Sequence, residues 1–144
     1  MAIFYQNYAG FKISTDGTTY VDLSDHVQSI TVNNGYDELD VSAMGTTGHQ
    51  FIGGLAAPTI SVDFNNDTAA SSVMQTLNTL VGTVAKFKVI QTTTAAGSAT
   101  NPIYSGLVLV NKLTPVAGKI GDVAVQSLTF TVSGSITITP SGTF

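Results

Sequence analysis

Val123–Thr139 reads VAVQSLTFTVSGSITIT, a nearly unbroken β pattern and the stretch that decides the fold. Val, Ile, Thr and Phe favour extended backbone, and no charge interrupts them. Gly134 marks a bend or bulge inside the run. Working outward, the same signal recurs in IYSGLVLVNKL (Ile103–Leu113), VAKFKVIQ (Val84–Gln91), TISVDFN (Thr59–Asn65) and VQSITVN (Val27–Asn33). In TISVDFN the alternation is clear: Ile60, Val62 and Phe64 point one way, Ser61 and Asp63 the other. Near the start, Phe11 and Ile13 and then Tyr20, Val21 and Leu23 bracket STDGT, whose Asp16-Gly17 is a hairpin signal.

One segment has a different period. DTAASSVMQTLNTLVG places Val73, Leu77, Leu80 and Val81 at helical spacing, with Asp67 as N-cap and Gly82 just past the end. The pattern predicts a helix over about 68–81, its stripe and Met74 packed against a sheet. Strands, one helix, then strands again predict a mainly β chain: one domain over 1–144, an antiparallel sandwich or barrel-like fold with one flanking α-helix. TTTAAGSATNP (Thr92–Pro102) and TPVAGKIGD (Thr114–Asp122) are connections. The connection over about 35–58 is harder to explain. Two to five residues suffice to join hairpin strands, yet this long inter-strand loop carries Met44, Phe51, Ile52 and Leu55 among glycines and threonines.

Charge is unusually sparse. Of 144 residues, 10% are charged and 43% hydrophobic; there are five lysines, no arginine and a net charge of −4. An average globular protein is about 25% charged. Such a chain folds, but its uncharged, threonine-rich strands leave sheet edges poorly defended against other chains. The simplest reconciliation is that much of the surface meets further copies of itself. Five lysines make no basic patch for gripping nucleic acid. No apolar run approaches the roughly 20 residues that span a bilayer, so no membrane partner is expected. The start, MAIFYQNYAGFK, lacks the basic-then-apolar layout of a secretory signal. There is no cysteine, which excludes disulfides and thiolate metal sites.

Catalytic and metal motifs are missing. His26 and His49 fall in neither an HxH nor an HExxH pattern, and a surface or subunit-contact role is expected for both. Asp37, Glu38 and Asp40 form an acidic turn without EF-hand spacing. Asn65, Asn66 and Asp67 read as helix-capping residues, and no nucleophile elbow or phosphate loop occurs. The expectation is no catalytic residue, no metal, no cofactor and no enzyme activity.

Several segments in order carry a resemblance: DLSDHV (Asp22–Val27), AMG (Ala43–Gly45), GL (Gly54, Leu55), VDFNND (Val62–Asp67), SATNPIYSG (Ser98–Gly106) and AGKIGDVAVQSLTFTVSGSIT (Ala117–Thr137). Together they resemble the major tail proteins of long-tailed bacteriophages. The resemblance implies a β-sandwich whose copies form rings of six, stacked into a hollow tube. One sheet of each subunit joins its neighbours around a lumen through which genomic DNA passes without specific binding. It further implies contacts with other tail proteins, synthesis in the host bacterial cytoplasm and residence in the virion tail. In that setting the loop would anchor to an adjacent subunit through Met44, Phe51, Ile52 and Leu55. Phe4, Tyr5 and Tyr8 would offer a second contact, and Asp63 is a candidate lumen-facing acid. One departure stands out: the resemblance leads to a basic residue after Ala43-Met44-Gly45, where this chain has Thr46, Thr47, Gly48 and His49. Alternative readings are a capsid decoration or other β-sandwich virion protein, or a carbohydrate-binding module. Against the last, the chain has no tryptophan and its tyrosines are dispersed.

Overall fold

The structure is a computed structural model that describes Ile3 and residues 7–144. Its strands are β1 (Gly10–Ser14), β2 (Tyr20–Asp22), β3 (Val27–Asn33), β4 (Tyr36–Asp40), β5 (Phe51–Ala56), β6 (Thr59–Asn65), β7 (Val84–Ile90), β8 (Ile103–Leu109) and β9 (Val125–Thr139). The one α-helix among the described residues, α1, spans Val73–Leu80. Seven strands form an antiparallel sheet in the order β2-β1-β7-β8-β9-β6-β3, and β4 and β5 form a separate pair.

The long strand β9 organises everything else. At roughly 3.3 Å per residue it runs about 50 Å, too far for one neighbour to cover. Its first half, to Thr131, pairs with β6; its second half, from Thr131 to Thr139, pairs with β8. One strand thus belongs to two layers: β3–β6–β9 and β9–β8–β7–β1–β2. Phe11 of β1 and Phe64 of β6 have three strands between them along the sheet, yet their rings meet edge-on at 5.6 Å between centroids. The sheet is therefore folded over, with its apolar face inside. Ile60, Val62 and Phe64 fill that interior with Phe87, Val108 and Phe130, as period-2 alternation requires. Gly134 sits at φ +86° where the β8–β9 register shifts between Ser105 and Leu107, so the expected bulge is present.

Four sequence expectations need correction. The helix starts at Val73, not near residue 68. Asp67 does not cap it: its carboxylate accepts the Ala69 N–H at 2.9 Å, and Ser71 at φ 61° breaks any helical path before Ser72. Val73, Leu77 and Leu80 are buried as the stripe predicted, but Val81 is the C-terminal boundary residue and is exposed. Finally, the connection over 35–58 is not all loop; it contains β4 and β5.

Candidate functional site

The β4–β5 hairpin stands off the body as an arm. Its base is closed where the Ala57 N–H donates to the Gly35 carbonyl at 2.8 Å. Beyond β4 the Val41 N–H continues the ladder by donating to the Gln50 carbonyl, also at 2.8 Å. No residue of either strand is buried. Leu39 lies opposite Ile52 on one face, and Asp40 lies opposite Phe51 on the other. Asp37 shares the Leu39 face, since both crowd the space beside Gly54 at 3.2 Å from where a Cβ would sit. By alternation Tyr36 and Glu38 share the Asp40 face. Each face thus mixes apolar and acidic side chains, and among the described residues neither strand is buried against the body of the chain. The exposures decide the point: Phe51 57%, Ile52 53%, Leu55 80%, with Met44 at the tip fully exposed. An isolated two-stranded hairpin is marginal in water, so this ribbon lacks the packing that normally sustains one.

The second surface is the outer face of β3–β6–β9. Register sets its side chains in rows: Ser29, Asp63, Ser127; and Thr31, Ser61, Thr129. The Ser61 and Thr129 hydroxyls are 3.3 Å apart. Asp63 is the one charge in these rows. Lysines lie elsewhere: Lys12 opposite Lys88 across β1 and β7, Lys86 beside them, and Lys112 and Lys119 in the exposed segment 111–124. β3 is also a sheet end: among the described residues no strand pairs with its outer side, and it has no charged residue along its length. The opposite end strand, β2, has only three residues and gives little to pair with.

His26 is partly buried and tied into its own chain. Its Nδ1 donates to Asp25 at 2.6 Å and its Nε2 to Asp67 at 2.9 Å, which fastens the 3-10 turn Ser24–His26 to the segment leading into α1. Ser72 completes the cluster and gives it the look of an acid–base–nucleophile array. The likeness ends there: the Ser72 hydroxyl donates to Asp67 at 2.8 Å and is 7% exposed, so no substrate reaches it. Burial lowers the imidazole pKa, but the hydrogen bonds it donates to Asp67 and Asp25 and the charges of those carboxylates outweigh it, and the net shift is upward from 6.5. A pKa raised on folding stabilises fully below the unfolded value and loses that contribution as pH rises through the folded one. The folded chain is therefore expected to withstand more urea at about pH 6 than at about pH 8, and His26→Gln should shrink that difference. A variant with the parent's full pH dependence would remove His26 as its source.

Asn65, Asn66 and Asp67 act as fasteners and not as caps: Gln28 donates to Asn65, and Gln126 donates to Asn66 at 3.0 Å. Among the described residues no group of three or more His, Asp or Glu is placed to hold a metal ion. Nor is any described helix long and apolar enough to cross a membrane. His49 sits on the arm, 3.2 Å from Asp40 and with its ring against Phe51. Phe4 and Tyr5 lie outside the described residues; Tyr8 is exposed, and its carbonyl accepts the Thr93 N–H.

No known protein-family profile matches the chain, and no curated protein sequence does. Solved structures do match. One is a chain in the tail of an empty gene transfer agent particle, refined with C6 symmetry: TM-score 0.70, 16% identity, covering 90% of this chain and 94% of that one. Another belongs to the virion of a native gene transfer agent particle: TM-score 0.69, 17% identity, covering 90% and 95%. The chain shares their fold over nearly its whole length.

Proposed function

We propose that this protein is a tail-tube subunit of a virion: copies join in rings of six, and the rings stack into a hollow conduit for genomic DNA. The observation that carries the reading is the correspondence of 90% of the chain with a chain from a sixfold tail. Three physical features support it. The bare β3 edge is uncharged and free to continue its sheet into a neighbouring subunit. The arm exposes apolar side chains on both faces and none of its strand residues is buried, as expected of a segment that packs only in the assembly; burying an apolar side chain fully contributes roughly 1.5–3 kcal/mol before ordering costs. Met44, Phe51, Ile52 and Leu55 are its anchors. The hydroxyl-rich β3–β6–β9 face offers a polyanion no cation to exchange for its counterions, and Asp63 repels it, so DNA slides along such a wall without binding. No chemistry is asked of the chain; its partners are itself, other tail proteins and the passing DNA. It is made in the host bacterial cytoplasm and ends in the virion tail.

Electron microscopy of the concentrated, purified protein tests the reading. The expected result is hollow tubes of sixfold symmetry whose bore is lined by the Asp63 face. Protein that stays monomeric at high concentration, or solid fibres, would overturn it.

A further inference from the structure

At the root of the arm, Asn34 and Gly35 join β3 to β4 and belong to neither strand. Asn34 is the one asparagine of the chain that a glycine follows. That order carries chemistry, because a glycine has no Cβ to shield its backbone nitrogen or to restrict the approach of the preceding side chain. The fold leaves the pair unrestrained. Both residues are exposed. The neighbouring Asn33 amide donates to the Thr59 hydroxyl at 3.5 Å, and Asn65, Asn66 and Asn101 are all held by hydrogen bonds. Among the described residues the Asn34 side chain has no such partner. Nor does the Gly35 N–H find an acceptor among them, although the Gly35 carbonyl accepts from Ala57.

Asp16-Gly17 is the internal contrast. An aspartyl-glycine pair can close the same kind of five-membered ring, with loss of water. Here the Asp16 carboxylate accepts the Thr19 and Thr18 N–H groups at 2.6 and 2.8 Å, and the Gly17 N–H donates to the Ser14 hydroxyl at 2.7 Å. Those two backbone donors keep the carboxyl ionised, its pKa well below the usual carboxylate range, and an ionised carboxylate is a poor electrophile. The attacking nitrogen is engaged as well.

We propose that Asn34 is a self-modification site in the folded chain. The Gly35 nitrogen attacks Asn34 Cγ and loses its proton; the Cγ–Nδ2 bond breaks, and ammonia leaves with that proton. A succinimide ring remains, which water opens. Cleavage between Cγ and the Gly35 nitrogen gives an aspartyl residue, and cleavage between the backbone carbonyl carbon and that nitrogen gives an isoaspartyl one. Either product adds a carboxylate. The isoaspartyl form also lengthens the backbone by a carbon directly before the Gly35–Ala57 hydrogen bond that closes the arm's base. In the assembly proposed above, on which this consequence alone rests, converted chains present a displaced arm and are left out of the tube.

Ageing the full chain in mildly alkaline buffer, folded and in urea, with products located by tandem mass spectrometry, tests the proposal. Folding should slow conversion at Asn34 by less than about tenfold and isomerisation at Asp16 by more, tenfold being about 1.4 kcal/mol of barrier. Gly35→Ala should slow conversion by about tenfold or more. Alanine fits there, since its Cβ would meet only the Ala57 carbonyl, at 3.9 Å. Asn34 that survives in the folded protein while the unfolded chain converts would overturn the proposal, as would a Gly35→Ala chain that converts at the parent's rate. Sedimentation of a half-converted sample reads the consequence: converted chains should accumulate in the supernatant, and equal proportions in pellet and supernatant would refute their exclusion. A sample that gives no pellet would instead refute the tube reading and leave the modification standing.

Discussion

Replacing Tyr36–Ala56 with an Asn-Gly turn is expected to yield a monomer as stable as the parent that forms no tubes at any concentration. Gly35 and Ala57 already face one another through a 2.8 Å hydrogen bond, and a two-residue turn of this type closes such a pair without strain. Nothing buried is removed: no residue of β4 or β5 is buried, and the pair belongs to neither layer of the body. Surface changes of this kind usually stay within about 0.5 kcal/mol. Urea denaturation and sedimentation read the two halves separately. Tubes formed by the shortened chain would show that the arm is dispensable; a large loss of stability would show that it packs on its own body.

The second large effect contrasts the same substitution at two phenylalanines. Phe64→Ala should cost about 3–5 kcal/mol of stability, the range for truncating a buried aromatic residue. Phe64 is wholly buried in β6, and its ring bridges the two layers by its edge contact with Phe11. Folded domains have only about 5–15 kcal/mol in all, so the variant would be marginal. Phe51→Ala, on the arm, should leave stability within about 0.5 kcal/mol of the parent and impair assembly instead. Similar denaturation midpoints for the two variants would contradict the division into a folding core and a binding arm.

The correspondence between sequence and structure follows from where burial comes from. Thr59–Asn65 was legible because one face of β6 packs in this chain's own core, which imposes a period of two: Ile60, Val62 and Phe64 in, Ser61 and Asp63 out. Val73, Leu77 and Leu80 were legible for the same reason at helical period. YDELD and FIGGLA were not. A strand buried on neither face by its own chain has no reason to alternate, so β4 and β5 read as loop. The one local hint was the series of apolar residues from Met44 to Leu55 with no obvious place to go.

Sequence alone therefore determined the β class, most strand positions, the buried stripe of the helix and the excess of unguarded surface, because each leaves a short-range imprint on residue choice. Tertiary structure decided the rest. Only the fold draws Asp67 away from capping and onto His26, forty-one positions earlier in the chain. Only register gathers Asp63 with the serines and threonines of β3 and β9 on a face without lysine. And only the stagger of β9 turns one sheet into two layers, because which neighbour covers which half of a long strand depends on pairings distant in sequence.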